Sequence, residues 1–157
     1  MTRLTHQEKT DLLARMCHYI PYARHLGIHL VGVEGDEVTL CLPYRDELVG
    51  NPDNGALHGG ALTVLLDHTL GVAGIAHDDV GPHITPTLDL RVDHLGITPP
   101  GRDLYAAARA YRVTRRVAFV EGFAWVESRE QAVARATGSW VIMREVDLVD
   151  RTAGTVR

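Results

Sequence analysis

The sequence has no excess of basic residues, and this limits the partners it can have. Its 16 lysine and arginine residues stand against 20 aspartate and glutamate residues, which gives a formal net charge of −4 at pH 7. A protein that binds nucleic acid through a general basic surface needs a positive excess to displace counterions from the phosphates. We therefore expect no nucleic-acid partner.

Long apolar runs and cysteine pairs are also missing. No run of about 18 apolar residues, the length of a membrane-spanning helix, occurs, and residues 1–8 lack the apolar stretch of a signal peptide. The two cysteines, Cys17 and Cys41, do not have the spacing of paired metal ligands or of a disulfide framework. These absences predict a cytoplasmic protein with two reduced thiols and no membrane partner.

Length and composition are those of one soluble globular domain. The chain has 157 residues, of which 45% are hydrophobic and 23% are charged. We expect a single domain over residues 1–157, with an N-terminal helix in 1–24, a core in 25–143 and a loose tail in 144–157.

The pattern of apolar residues predicts an α+β fold. Thr5 and Glu8 have the spacing of a capping box, and apolar residues at helical spacing follow as far as Pro21. Residues 59–76 are apolar over most of the helix circumference, which is typical of a buried central helix. Alternating segments before and after it predict an antiparallel sheet packed on that helix. The sheet would leave an edge strand, and pairing of that edge predicts a homodimer.

A glycine pair opens the central helix. Residues 43–57 are rich in proline, glycine and asparagine and predict a loop, and His58, Gly59 and Gly60 follow it. Free backbone N–H groups at a helix N-terminus can hold an oxyanion or a polarised carbonyl oxygen. The alternative is that the two glycines only allow close packing of a buried helix.

Asp67 is a carboxylate in the otherwise apolar central helix, where burial is costly unless the group is paired. It is a general base, a carboxylate capped by the hydroxyl of Thr63 or Thr69, or a carboxylate on an exposed stripe of the helix. Nine residues separate His58 from Asp67, which is about 13 Å along a helix. The helix N-terminus beside His58 and the Asp67 carboxylate of one chain cannot easily contact the same reacting atom. If both act in one reaction, a second subunit supplies one of them.

Several of these segments together resemble a known family. They are Gly50-Asn51-Pro52, Gly55–Leu62, Leu65-Leu66-Asp67, Thr87–Val92, Pro100–Leu104 and Thr114–Val120. In combination they resemble the PaaI-type hotdog-fold acyl-CoA thioesterases over about residues 25–143. The most specific part is the glycine pair after His58 with an acid nine residues beyond that histidine.

The resemblance implies a hotdog fold, in which an antiparallel sheet wraps around a long central helix, here with an extra N-terminal helix. It implies homodimers or homotetramers with active sites at the subunit interface. The implied reaction is hydrolysis of an acyl-CoA, aromatic such as phenylacetyl or short to medium in chain length, to free acid and CoA. It implies no metal and no other cofactor.

The resemblance also implies roles for individual residues. The backbone N–H of Gly59 would polarise the thioester carbonyl, with Gly60 beside it in the substrate-binding turn. Asp67 of the facing subunit would be the general base or the nucleophile. Thr87 would help to place water or substrate, and His58 would order the loop and touch the thioester side.

The chain departs from that family at one position. Some relatives have an asparagine six residues before the histidine, where this chain has Pro52. Asn51 and Asn54 flank it, and either one is a candidate to face the substrate. Arg115 and Arg116 are candidates for the phosphates of CoA, and a solvated turn between strands is the alternative for them.

Two other functions remain open. Asp53 and His58 are five residues apart, close to the spacing in hotdog acyl-CoA hydratases and dehydratases, although that branch has an asparagine two residues after the aspartate and Asn54 comes one after. A non-catalytic acyl-CoA-binding module is the second alternative, and the presence of Asp67 argues against it.

The nine histidines raise the question of a metal site. His25 and His29 have the i, i+4 spacing that binds zinc on a helix face, but Gly27 lies between them and a strand pattern follows. We therefore expect no metal site and interpret these histidines as surface or loop residues.

Overall fold

The computed structural model describes residues 4–149. The helices are α1 (His6–Tyr19), α2 (Pro21–Leu26) and α3 (Gly59–Ala76), and a short 3-10 turn spans Asp46–Leu48. The strands are β1 (His29–Glu34), β2 (Glu37–Leu42), β3 (Val49–Asn51), β4 (Ala56–Leu57), β5 (His83–Ile84), β6 (Thr87–His94), β7 (Leu104–Val113), β8 (Val117–Trp125), β9 (Ala134–Val141) and β10 (Met143–Asp147).

The main sheet has six antiparallel strands in the order β1-β2-β7-β8-β9-β6. Strands and helices are segregated along the chain, so the predicted α+β class with an antiparallel sheet around one central helix is confirmed. Within the part of the chain that the structure describes, β1 and β6 each have a neighbour on one side only. They are the two edges of the sheet.

The central helix α3 lies against the inner face of this sheet. It packs on β2, β7 and β8 and also contacts β6, β9 and α1. Among the described helices α3 alone is long and apolar enough to cross a membrane by length and composition. Its side chains Leu65, Leu66 and Leu70 are fully buried, which is the arrangement of the core helix of a globular protein.

The N-terminal segment begins as predicted but contains two helices. The backbone N–H of Glu8 donates to Thr5 Oγ1, and the Thr5 N–H donates back to the Glu8 carboxylate, so the capping box is present. Pro21 ends α1 but also begins α2, because proline at the first helical position needs no N–H partner there. The single helix predicted within 1–24 is therefore corrected to two, the second of which runs past residue 24.

Two segments predicted to lack regular structure contain strands. The predicted loop 43–57 includes the small hairpin of β3 and β4. The predicted loose tail begins instead as β10, which pairs with β5, and Leu148 behind it is only 2% exposed. Burial of that leucine holds the start of the tail on the body of the protein. Residues 150–157 of the predicted tail lie outside the described residues.

Candidate active site

His58 caps the N-terminus of α3. Its extended backbone ends the preceding hairpin, and its Nδ1 accepts a hydrogen bond from the backbone N–H of Gly60 across 2.9 Å. Since Nδ1 accepts, the neutral ring carries its proton on Nε2. The backbone N–H of Gly59 has no acceptor among residues 4–149. The predicted free donor at the start of this helix is therefore present at Gly59, whereas the N–H of Gly60 is occupied.

The loop before His58 is packed closely onto it. The His58 N–H donates to the Leu48 carbonyl oxygen at 2.8 Å, and a Cβ on Gly50 would lie 2.6 Å from the His58 Cα. Only glycine fits at position 50 without moving the backbone. Asn51 Oδ1 accepts from the Asp53 N–H at 3.0 Å, and Asn54 Oδ1 accepts from a backbone N–H two residues on. Both asparagines therefore stabilise the turn of their own loop.

Asp67 is half-buried in the middle of α3. Its Oδ1 accepts a hydrogen bond of 2.8 Å from Thr87 Oγ1, at the first residue of β6. The hydroxyls of Thr63 and Thr69, which the sequence offered as alternative partners, instead donate to the backbone carbonyls of Gly59 and Leu65. The carboxylate is thus held by a residue of the sheet edge and not by its own helix.

A cavity of about 410 Å³ lies beside the Asp67 carboxylate. One wall is α3, the opposite wall is the α1–α2 segment, and β5 with the start of β6 closes a third side. Most of its lining is apolar; the contributors from the α1–α2 segment include Met16, Tyr19, Ile20 and Tyr22. A carboxylate at the side of an apolar cavity is the arrangement of a site that binds an apolar group next to a polar reacting centre.

His68 lines the same cavity as Asp67, although the two side chains form no hydrogen bond. Its Nε2 is buried without a hydrogen-bond partner in the described part of the chain. Burial lowers the pKa of His68, because desolvation disfavours the charged ring, and the nearby Asp67 carboxylate opposes this only in part. Burial therefore favours the neutral form of the ring.

The structure does not bring all predicted site residues together within one chain. Gly59 and Asp67 lie eight residues apart on one helix, about 12 Å along its axis. Arg115 and Arg116 are exposed in the β7–β8 turn. Arg144 links this turn to the loop that follows the C-terminal end of α3, since it donates to the Arg115 carbonyl at 3.3 Å and to the Asp79 carbonyl at 3.0 Å.

Sequence reasoning missed two parts of the site. The first is the α1–α2 wall of the cavity, because periodicity shows that a helix has an apolar face but not what that face covers. The second is His94, the last residue of β6, whose ring lies 3.4 Å from the position that a Cβ on Gly59 would take. Its position in sequence offered no signal, since 35 residues separate it from Gly59.

No group of three or more histidine, cysteine, aspartate or glutamate side chains within residues 4–149 is placed to hold a metal ion. His25 is exposed at the end of α2 and His29 begins β1. The His29 Nδ1 lies 3.0 Å from the Gly27 carbonyl oxygen. A turn and a change of element thus separate the two histidines whose spacing raised the question of zinc.

Comparisons with known proteins agree with this architecture. A family model described as the thioesterase superfamily matches residues 54–133. A crystal structure of a Pseudomonas aeruginosa protein is 35% identical, covers 86% of this chain and 99% of its own, and superposes with a TM-score of 0.77. Among curated proteins no significant match to this sequence is found.

Two further solved structures share the fold at lower identity. The phenylacetic acid degradation protein PaaI from Thermus thermophilus, solved as a mutant, is 24% identical, with a TM-score of 0.67 and coverage of 78% of this chain and 99% of its own. A Streptococcus mutans protein bound to acetyl CoA is 22% identical, with a TM-score of 0.63 and coverage of 74% and 88%.

Proposed function

The chain belongs to the thioesterase superfamily, and we propose that it hydrolyses acyl-CoA thioesters to the free acid and CoA. The observation that carries this proposal is the Asp67 carboxylate, held by Thr87 beside an apolar cavity and carried by the helix whose first N–H group is free among the described residues. Acyl transfer to water needs a donor for the carbonyl oxygen, a base or nucleophile, and room for an acyl group, and the Asp67 carboxylate can fill the second of these roles.

In the proposed reaction the Gly59 N–H binds the carbonyl oxygen of the thioester and stabilises the negative charge that develops on it. Asp67 of the facing subunit then acts in one of two ways. As a general base it takes a proton from water while the water oxygen attacks the carbonyl carbon. As a nucleophile it forms an anhydride that water opens. In both cases the carbon–sulfur bond breaks, CoA leaves as the thiolate and takes up a proton, and the acid is released.

The spacing of Gly59 and Asp67 supports a site shared between two chains. About 12 Å along one rigid helix separates them, which is too far for both to contact one carbonyl group. A homodimer, alone or paired into a homotetramer, would bring Gly59 of one chain to Asp67 of the other. The exposed edge strand β6 and its Leu88, which is 59% exposed, are available for such an interface.

For the acyl group we propose the cavity between α3 and the α1–α2 segment. Its volume of about 410 Å³ and its apolar lining suit an aromatic acyl group such as phenylacetyl or a short to medium aliphatic chain. A PaaI protein and an acetyl-CoA complex among the structural neighbours support an acyl-CoA substrate of this kind.

For the CoA part the proposed contacts are more exposed. Arg115 and Arg116 are the candidates for the phosphates of CoA. Since they lie at the end of α3 away from Gly59 within one chain, they would reach CoA only across the subunit interface. Asn51 and Asn54 would contribute through the loop that positions His58 and Gly59. We place the reaction in the cytoplasm, with which two free, buried cysteines are compatible.

The experiment that tests the proposal is thiol release from a panel of aromatic and aliphatic acyl-CoAs. We expect turnover by the wild type and a loss of roughly 10²–10⁴-fold in kcat for Asp67→Asn, the range for removal of a general base. Asp53→Asn is the matched control, because Asp53 is exposed in the neighbouring loop and is the residue that a hydratase mechanism would use.

Each other outcome identifies a different function or residue. Hydration of an enoyl-CoA that Asp53→Asn abolishes would replace the proposal with the hydratase alternative. Binding of acyl-CoA without release of any thiol would indicate the non-catalytic module. Thiol release that is unchanged in Asp67→Asn would support the thioesterase reaction but show that Asp67 is not its catalytic carboxylate.

A further inference from the structure

The oxyanion site at the start of α3 has only one free backbone donor. The Gly60 N–H donates to His58 Nδ1 at 2.9 Å, and the Ala61 N–H donates to the His58 carbonyl oxygen at 2.8 Å. Of the first three N–H groups of this helix, only that of Gly59 is left without an acceptor among the described residues. A carbonyl oxygen that becomes an oxyanion has lone pairs for more than one donor. A side chain beside Gly59 can therefore supply a second donor.

The imidazole of His94 lies beside Gly59, the residue that carries the free donor. Its Cε1, Nε2 and Nδ1 atoms are 3.4, 3.7 and 3.9 Å from the point that a Cβ on Gly59 would occupy. The edge of the ring that carries both nitrogens thus faces the first residue of the helix. Within residues 4–149 the His94 side chain forms no hydrogen bond and no ion pair, so its N–H is available to a ligand.

We propose that His94 is a catalytic residue that donates a second hydrogen bond to the thioester carbonyl oxygen, beside the N–H of Gly59 in the same chain. The inference rests on the proposed thioesterase function. The ring has an N–H to donate whether it is neutral or protonated. The His94 ring keeps its proton throughout and stabilises the negative charge that develops on the carbonyl oxygen. The proton transfers between water, the Asp67 carboxylate and the CoA thiolate are those of the proposed reaction.

The other polar side chains near the glycine pair are engaged elsewhere. His58 is turned to the Gly60 N–H as the helix cap. Asn51 and Asn54 accept hydrogen bonds within their own loop. Among these groups only His94 is both unpartnered within the described chain and in contact with Gly59, and its place at the end of β6 is set by the pairing of that strand with β9.

The first test compares His94→Phe, which keeps a ring but removes the donor, with His94→Gln, which restores one. We expect His94→Phe to lower kcat roughly 10²-fold, the effect of removing one oxyanion donor. KM should change little, since the bond strengthens only as charge develops. His94→Gln should recover part of the loss. His25→Phe, a ring substitution at an exposed histidine of α2 outside the site, should leave kcat unchanged.

The second test reads the carbonyl bond directly. In the Asp67→Asn background, an acyl-CoA labelled with ¹³C at the carbonyl is bound and its C=O stretching band is measured by infrared difference spectroscopy. We expect a shift to lower frequency on binding, because donors polarise the bond, and a smaller shift when His94→Phe is added. A ring that only filled space would not move this band.

The two proposals fail differently. A wild type that binds acyl-CoA but releases no thiol would contradict the thioesterase function, and the carbonyl band would still test His94. If the wild type hydrolyses acyl-CoA, two results would overturn the role of His94 alone. One is a kcat of His94→Phe equal to that of the His25→Phe control. The other is a carbonyl band that His94→Phe leaves unchanged. The role of His94 would also be overturned if His94→Phe lowers kcat, His94→Gln does not restore kcat, and the carbonyl band does not shift between the variants.

Discussion

Thr87 Oγ1, at the first residue of β6, donates a hydrogen bond of 2.8 Å to Asp67 Oδ1 in the middle of α3. The bond joins the core helix to an edge strand, and the two residues lie 20 positions apart in sequence. Oδ2 of the same carboxylate takes no hydrogen bond from any described residue. One oxygen is thus fixed by the protein, and the other is left for water or the carbonyl carbon.

Removal of this hydroxyl should lower the activity. In Thr87→Val the carboxylate loses its one donor, and hydrogen bonds to charged groups contribute about 1.5–3 kcal/mol, so we expect kcat to fall roughly 10- to 100-fold. Thr87→Ser keeps the donor and should stay within a few-fold of the wild type. Steady-state thiol release measures both. Equal kcat for Thr87→Val and Thr87→Ser would show that the bond does not matter to turnover.

Two inactive variants should restore activity when they are combined. Gly59→Pro removes the N–H at the first helical position, where proline is tolerated, and Asp67→Asn removes the carboxylate. In a mixed dimer one site then has both Gly59 of one chain and Asp67 of the other. A refolded equimolar mixture should regain about a quarter of the wild-type activity, since half of the dimers are mixed and half of their sites are intact.

The control for this experiment is Gly59→Ala, which keeps the N–H. Mixed dimers of Gly59→Ala with wild type should be no less active than the average of their parents. If the mixture of the two inactive variants regains no activity although mixed dimers form, each site uses Gly59 and Asp67 of the same chain, and the proposed shared site is wrong.

Loss of the His58 side chain should destabilise the protein by a modest amount. In His58→Ala the Gly60 N–H loses its acceptor, and removal of an N-cap costs about 1 kcal/mol in the free energy of unfolding. His58→Asn offers a replacement cap and should recover most of it. Urea unfolding of the three proteins measures the difference. Identical midpoints for alanine and wild type would mean that the cap contributes nothing to stability.

Narrowing the cavity should change which acyl groups are accepted. Ile20 lines it from the α1–α2 segment, and Ile20→Trp should lower kcat/KM for phenylacetyl-CoA roughly 10-fold while sparing acetyl-CoA, because a filled apolar pocket discriminates by size. Ile97→Trp is the control, since Ile97 is 72% exposed and lies outside the cavity. A uniform loss over all acyl-CoAs would indicate a folding defect in place of a change in selectivity.

Neither cysteine should react with thiol reagents in the folded protein. Burial raises the pKa of Cys17 to about 12, and burial with the nearby Asp103 carboxylate raises the pKa of Cys41 to about 11. Since only the thiolate reacts, its fraction at pH 8 is very small. An aromatic disulfide reagent should therefore label two thiols per chain only after denaturation. Rapid labelling of the native protein would contradict the burial of these side chains.

Local sequence determined the parts of this protein that depend on near neighbours. Thr5 and Glu8 form the capping box that their spacing predicts. The glycine pair marks the start of α3, and the apolar circumference of that helix correctly predicts its burial. Period-two alternation correctly predicts the long strands of the sheet. These features follow from interactions within a few residues, which is why a single sequence carries them.

Tertiary structure alone decided which distant residues meet. The partner of Asp67 is Thr87 and not the nearby Thr63 or Thr69, because the pairing of β6 with β9 brings that strand against α3. The same pairing sets His94 over Gly59. The cavity exists because α1 and α2 fold back over the face of α3 that the sheet leaves uncovered. Such contacts depend on chain topology and packing, which local periodicity does not encode.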